Sequence, residues 1–338
     1  MPVADAAAIT EDVALAVGLA EGAIGVRAVL DAVARLEPVS VRRLSRAVEL
    51  PVPIVAAVCG ELRKRFLVAE ERPVQLTVQG RDFFARGALS LGRTRRCVPC
   101  SGSGSVPPPG LGRLRREIRR ATEHAPPARL ELDQCHCTFE TKVRRVLALH
   151  EAGALVGRRI LLLGDDDLTS VAIGVAVREL GDAGTVAGVA VVDVDPAVLA
   201  FARDQLGDTP FPIAFVEHDL RASLPPALRG AFDTVVTDPP YTLPAARLFL
   251  SRAAEALAGP GGDVFLCFGS RRPDAAYLLQ QAVVESGFAI RQLVRDLNRY
   301  VGAGVLGGTS HLYHLTATSD VRRLVEGAYD GPLYTSET

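Results

Sequence analysis

The 338-residue chain has no tryptophan, one methionine and only two lysines, Lys64 and Lys142, so arginine carries nearly all of its positive charge. That bias reads as genome composition and not as a functional signal. There is no excess of either charge: the formal net charge is −1, which argues against a polyanion as the main partner, since nucleic-acid binders carry a clear basic excess. No apolar run reaches the ~18–20 residues of a membrane-spanning helix. The first residues, MPVADAAAITEDVALAVG, lack a basic leader and hold Asp5, Glu11 and Asp12, unlike a signal peptide. A cytoplasmic protein is expected, in which the six cysteines are thiols or metal ligands and not a disulfide framework.

What is present is an ordinary packed chain, 48% hydrophobic and 23% charged, long enough for two domains. The spacing divides it into three stretches: 1–92, a linker over 93–140, and 141–338. The first reads as helices over 22–36, 39–50 and 51–68, then a short hairpin and a terminal helix. That order resembles the winged helix-turn-helix superfamily. It leaves open DNA binding through 51–66 or a dimerisation or substrate-shaping module. Glu61, Arg63, Lys64 and Arg65 all lie at the C-terminal end of that helix, whereas DNA readers mostly use the N-terminal turns, so the second use is favoured and a homodimer is expected.

The linker holds the Ser/Gly/Pro-rich run CVPCSGSGSVPPPG, a loop, and the basic helix RLRREIRR, whose arginines read as a solvated face. Cys97 and Cys100 lie before it, and Cys135 and Cys137 after it. Four thiolates could close a structural zinc site; the alternatives are unliganded thiols or a redox pair. Cys59 and Cys267 lie in apolar runs and read as core.

From about 156 strands alternate with helices: strands at 158–164, 185–195, 211–219, 231–241 and 261–269, then two more, FAIRQLVRDL and SHLYHLTA. Such β-branched runs between helices mean a mostly parallel sheet covered on both faces. Ligands bind beyond the carboxyl ends of such strands. Acidic residues cluster there: Asp165, Asp166 and Asp167 in GDDDLTS, Asp193 and Asp195, Asp219, and Asp238 in DPPY. Any one of them could be a helix cap, but they recur at successive strand ends. Asp193 suits ribose hydroxyls; in methyltransferase-like domains, which this region resembles, an acid at the place of Asp219 pairs with the adenine amino group.

Residues 156–317 resemble a Rossmann-like class I S-adenosylmethionine-dependent methyltransferase fold. In that resemblance Asp238, Pro239, Pro240 and Tyr241 form the motif that holds an acceptor nitrogen. A carboxylate there can accept an N–H and take up the proton as the new bond forms, so nitrogen alkylation is the expected reaction. The turn after the first strand, starting at Gly164, normally meets the methionine end of the cofactor. Carboxylates there repel its carboxylate and favour a purely cationic tail, as in decarboxylated S-adenosylmethionine, or a polyamine acceptor. One of the three, Asp167, is expected to cap the following helix.

GDDDLTS, DPPYT and DQCHCTFET together resemble the branched-chain polyamine synthase family. The resemblance covers nearly the whole chain. It implies a winged-helix-like domain before the catalytic domain, and aminopropyl transfer from decarboxylated S-adenosylmethionine to a secondary amine of a polyamine such as spermidine, with release of methylthioadenosine. It also implies Asp165, Asp166 and Asp238 as catalytic, Asp167, Pro239, Pro240 and Tyr241 as substrate-binding, and Gly164, Asp193, Asp195 and Asp219 as donor-binding. The competing expectations are an N-methyl- or aminocarboxypropyl-transferase using the intact donor, and a winged-helix regulator that senses a nucleoside or polyamine.

Overall fold

The fold is that of a computed structural model, which describes residues 3–48, 50–85, 110–180, 185–207, 209–269, 272–302 and 308–337. The chain forms two compact units, 1–98 with 303–309, and 99–302 with 310–338.

In the first unit helices α1 (Val3–Val17), α2 (Gly22–Leu36), α3 (Val41–Val48), α4 (Val52–Lys64) and α5 (Val78–Ala85) surround one apolar core. Val26, Val29, Leu30 and Val33 put the buried stripe of α2 at helical spacing. Pro51 caps α4, and a further proline sits in its first turn, where a missing N–H costs nothing. Antiparallel bridges join Val39 to Val74 and Val68 to Leu76. Gly80 is needed here because a Cβ would stand 2.0 Å from the Leu67 carbonyl oxygen. Cys59 is fully buried in this core, as its apolar surroundings predict.

The second unit is a seven-stranded sheet. Its strands are β1 (Arg159–Leu163), β2 (Gly188–Asp193), β3 (Ile213–Glu217), β4 (Thr234–Thr237), β5 (Asp263–Phe268), β6 (Phe288–Arg299) and β7 (Thr309–Ala317). Their order is β3-β2-β1-β4-β5-β7-β6. The first five are parallel and β7 runs antiparallel to β5. Both faces are covered, so inward and outward residues alike are apolar. Leu161 and Leu163 join the core on one side, with α10 (Leu243–Ala256) and α11 (Pro273–Glu285). Ile160 and Leu162 join the core on the other. All four are 0% exposed, and each contributes roughly 1.5–3 kcal/mol by burial.

The other face packs α6 (Gly112–Thr122), α7 (Phe139–Glu151) and α8 (Thr169–Leu180), while α9 (Pro196–Leu206) follows β2. Residues 110–140 are therefore part of this unit and not a free-standing linker. The arginines of α6 point outward, but Leu114 and Ile118 between them are buried in the sheet core. The basic composition hid a two-residue apolar stripe. Strand order reverses between β1 and β4, which opens a crevice beyond their carboxyl ends. Among the described residues no single helix is long and apolar enough to cross a membrane.

Candidate active site

The crevice holds a cleft open to solvent. After β1 the chain turns at Gly164, whose φ of +72° is one that glycine adopts without strain. Asp165 to Leu168 then close a tight turn, with Leu168 N–H donating to the Asp165 carbonyl at 2.7 Å. This turn sends three adjacent carboxylates in three directions.

Asp165 faces α8. It accepts the Ser170 amide at 3.1 Å and the Ser170 hydroxyl, and it is 2% exposed. Asp167, expected to cap that helix, does not: Asp165 does so, because the left-handed Leu168 (φ 52°) swings the chain before the helix begins. Asp167 instead pairs with Arg145 at 2.8 Å and accepts the Cys137 amide. Of the three, Asp166 lines the cleft, with the Cys135 amide donating to it at 3.2 Å.

At the end of β4, Asp238 also lines the cleft, with Pro240; Pro239 is buried beside them. Asp238 Oδ2 accepts from Arg145 Nη2 and from the Tyr300 hydroxyl, each at 2.6 Å, and Oδ1 accepts from the Tyr241 hydroxyl at 3.2 Å. The Tyr241 and Tyr300 hydroxyl oxygens lie 2.7 Å apart, so the one Tyr241 proton is shared between Tyr300 and Asp238. The Tyr300 hydroxyl lies 2.9 Å from Ser310 Oγ, to which Asn298 donates. Arg145 is fixed by Nε donating to Asn298 Oδ1 at 2.9 Å.

Burial sets the charges. Asp238 is pushed up to about 7, burial outweighing Arg145. Burial also raises Asp165 to about 7. Asp166 lies well above the carboxylate range, through burial and then the charges of Asp167, Asp238 and Asp193. Burial would raise Asp167 too, but Arg145 and Lys142 prevail and hold it low. The cleft is thus short of positive charge, and a cation entering it relieves that shortage.

The other side of the cleft lies past β2 and β3. Asp193 lines it while accepting the Asp165 and Asp195 amides at 2.7 and 2.8 Å. Asp219 lines it and accepts the Arg221 amide at 2.9 Å. Asp195 does not reach the cleft lining: it caps α9 through the Ala197 amide and accepts from Gln134 Nε2 at 3.1 Å. His218 lines the cleft, and its buried Nε2 has no hydrogen-bond partner among the described residues. Tyr334, from the last residues of the chain, closes one edge. That segment is tied down by Thr242 Oγ1 donating to the Leu333 carbonyl at 2.8 Å and by the Thr335 amide donating to Asp133 at 2.6 Å.

Cys97 and Cys100 lie outside the described residues. Burial and then Asp167 push the Cys137 thiol up to about 12, and Lys142 Nζ lies 3.5 Å from its Sγ. Cys135 Sγ donates to the Val301 carbonyl. Cys267 is buried in β5 as core. His136, Asp166 and Asp167 bring possible ligand atoms within 4.8 Å of one another. Yet both ring nitrogens of His136 face carbonyl oxygens, Asp166 at 2.9 Å and Pro126 at 2.7 Å, so the ring turns no lone pair to the carboxylates.

Arg145, Tyr300, Asn298, Ser310, His218 and Tyr334 were not singled out from the sequence. Arg145 did leave a signal. On α7 the apolar residues Val143, Val146 and Leu149 are buried, and Lys142 and Arg145 share that face. A cation in a core-facing stripe needs a buried partner. The tyrosines and the tail come from distant chain segments and left none.

Residues 114–329 match the family model described as the branched-chain polyamine synthase A C-terminal domain. The chain is 33% identical over 310 residues to an uncharacterized protein of Methanocaldococcus jannaschii, covering 91% of this chain and 77% of the relative. It is 32% identical over 270 residues to an N(4)-bis(aminopropyl)spermidine synthase of Thermococcus kodakarensis, covering 77% and 74%. A crystal structure of the branched-chain polyamine synthase from Thermus thermophilus, in complex with N4-aminopropylspermidine and 5′-methylthioadenosine, matches with a TM-score of 0.74. It is 25% identical, with 100% of this chain and 99% of that chain covered.

Proposed function

The chain belongs to the branched-chain polyamine synthase family, and from that membership and its site we propose that it transfers aminopropyl groups from decarboxylated S-adenosylmethionine to an inner amine of a polyamine such as spermidine. The observation that carries this reading is the acidic cleft wall. Asp166, Asp193, Asp219 and Asp238 all line it, and the cation nearest Asp238 is already committed to Asp167 and Asp238. A donor that kept its methionine carboxylate would meet repulsion there; a donor and acceptor carrying only ammonium groups meet attraction.

The nucleoside lies along Asp193 and Asp219, with His218 Nε2 beside them as a further hydrogen-bonding atom. Asp166 receives an ammonium of the aminopropyl arm or of the polyamine. Asp238, held by Tyr241, orients the acceptor nitrogen and accepts its proton. The neutral nitrogen attacks the carbon next to the sulfonium in line. The N–C bond forms as the C–S bond breaks, the electron pair goes to sulfur, and methylthioadenosine leaves as a neutral thioether. A secondary amine becomes tertiary, and a second turnover makes it quaternary. Positioning supplies much of the acceleration.

The first unit fits a winged-helix reading: helix, bridge, helix, helix and two bridged segments follow in that order. With a nearly neutral chain, it serves assembly or the substrate and not DNA, and a homodimer follows; light scattering on the purified protein tests this.

The purified protein, given spermidine and either donor, should add one or two aminopropyl units by mass only with the decarboxylated donor. A methyl or aminocarboxypropyl gain from the intact donor would replace this reading with the corresponding transferase. No product with either would remove it.

A further inference from the structure

Arg145 stands where a cation is least expected in a site built for cations. It is 3% exposed, and its guanidinium spans the two halves of the chemistry, with Nη1 2.8 Å from Asp167 and Nη2 2.6 Å from Asp238. Nε is anchored on Asn298 and Nη1 also reaches Thr169 Oγ1 at 3.3 Å, so neither rotamer nor register is free. The other titratable or charged groups that face this cluster are Lys142 on α7, Cys137 before it, Cys267 in β5, Tyr241 after β4, Tyr300 after β6, and Asp166 in the turn. A carboxylate meant only to bind an ammonium needs no such partner. Arginine beside it weakens that binding.

We propose that Arg145 is the positioning residue that selects the protonation state of the acceptor nitrogen: its charge keeps Asp238 ionised and makes an ammonium beside Asp238 unfavourable, so the nitrogen that docks there does so as the free base. This rests on the aminopropyl-transfer reading. Free polyamine nitrogens are mostly protonated at neutral pH and have no lone pair to offer. One fixed cation 2.6 Å from the accepting oxygen acts on both partners in the same sense, favouring carboxylate with amine over carboxylate with ammonium. The polyamine's other nitrogens remain charged and are drawn to Asp166 and Asp193, away from Arg145. The same cation therefore decides which nitrogen of the chain is alkylated. The acceptor leaves its proton in solvent before it docks. Asp238 accepts the N–H proton of the new tertiary ammonium once the N–C bond has formed and passes it to solvent before the next turnover. The second transfer, to a tertiary amine, releases no proton. Atoms and charge balance without a further reactant.

The test is Arg145→Met against Arg145→Lys and wild type, with spermidine, decarboxylated S-adenosylmethionine and the full chain. Arg145→Met should lower kcat at least 100-fold while the KM for spermidine falls or holds, because the freed carboxylates bind the ammonium better. Its acid limb in kcat/KM should move to higher pH, since loss of a neighbouring cation raises Asp238 in the free enzyme. Arg145→Lys should keep the wild-type limb with an intermediate kcat. A raised spermidine KM with an unmoved limb would reduce Arg145 to a structural tie and overturn the proposal.

A second measurement needs no variant. Spermidine labelled with ¹⁵N at its central nitrogen, bound to the wild type with methylthioadenosine at pH 7.5, should show the shift of a neutral amine. The shift of an ammonium overturns the proposal even if Arg145→Met fails to fold. Transfer by the wild type tests the functional reading separately. If the wild type transfers and these signatures fail, Arg145 alone loses its role; if it does not transfer, both readings fall.

Discussion

The two sides of the cleft use carboxylates in different ways. Past β2 and β3, Asp193 and Asp219 are held by backbone amides within or next to their own strand-end loops. Past β1 and β4, Asp167 and Asp238 are held by side chains from α7, the end of β6 and the loop after β4. A backbone amide fixes an acid in place without knowing what its neighbours do. A shared guanidinium and a shared tyrosine couple acids to one another, so a change in one is felt by the rest. The first arrangement suits a nucleoside that is bound and released unchanged at its ribose and base. The second suits a nitrogen that must change its proton count during the reaction.

The comparison breaks most visibly at Asp238. Asp238→Ala should lower kcat about 10²–10⁴-fold, the range of a lost acid–base group, while calorimetry finds methylthioadenosine bound as before. Equal loss of nucleoside affinity would mean that the two sides are not separate. On the other side, Asp193→Asn removes a charged acceptor, and hydrogen bonds to charged groups contribute roughly 1.5–3 kcal/mol. The KM for the donor should rise roughly 10–100-fold by that figure, with the spermidine KM little changed. A fall confined to kcat would place Asp193 with the chemistry.

The pH profile sharpens the contrast at smaller amplitude. Asp238 must be ionised to accept a proton and is raised to about 7. Expressed per free-base amine, wild-type kcat/KM should therefore fall below pH 7, about tenfold per unit, as the carboxyl protonates in the free enzyme. A limb near pH 4 would show an Asp238 unaffected by its burial.

The smallest effect belongs to Asp165, which serves α8 and not the cleft. Asp165→Ala should cost about 1 kcal/mol in urea unfolding, the usual loss for a helix cap, and Asp165→Asn should retain most turnover. Collapse of turnover in Asp165→Asn would return that residue to the chemistry expected from the sequence. Its folded pKa of about 7 lies above the unfolded value of about 4. Stability supplied by its bound proton is thus full below pH 4 and lost as pH rises through 7. Asp165→Asn should flatten that part of the stability profile.

Much of this was legible in the sequence for local reasons. The strands of the sheet were readable as β-branched apolar runs, because a two-sided sheet buries nearly every residue of its central strands. Asp193, Asp219 and Asp238 were legible because strand ends line the crevice whatever their side chains do. The three aspartates of the turn were legible as a group but not one by one. Which of them caps, pairs or faces the cleft depends on one left-handed residue, Leu168, and no propensity assigns φ of +52° to a leucine. The segment before α7 read as a linker because Leu114 and Ile118, the buried residues of α6, make too short a stripe for periodicity to find.

The sequence by itself determined the sheet, its strand-end acids and the family, since these follow from periodicity and short motifs that hold within a few residues of one another. Only the tertiary structure decided which acids are charged and which are free. Arg145, Asp167, Asp238 and Tyr300 lie up to 155 positions apart and meet only in the folded chain. Ionisation depends on distance and burial through space, and neither is written along the chain.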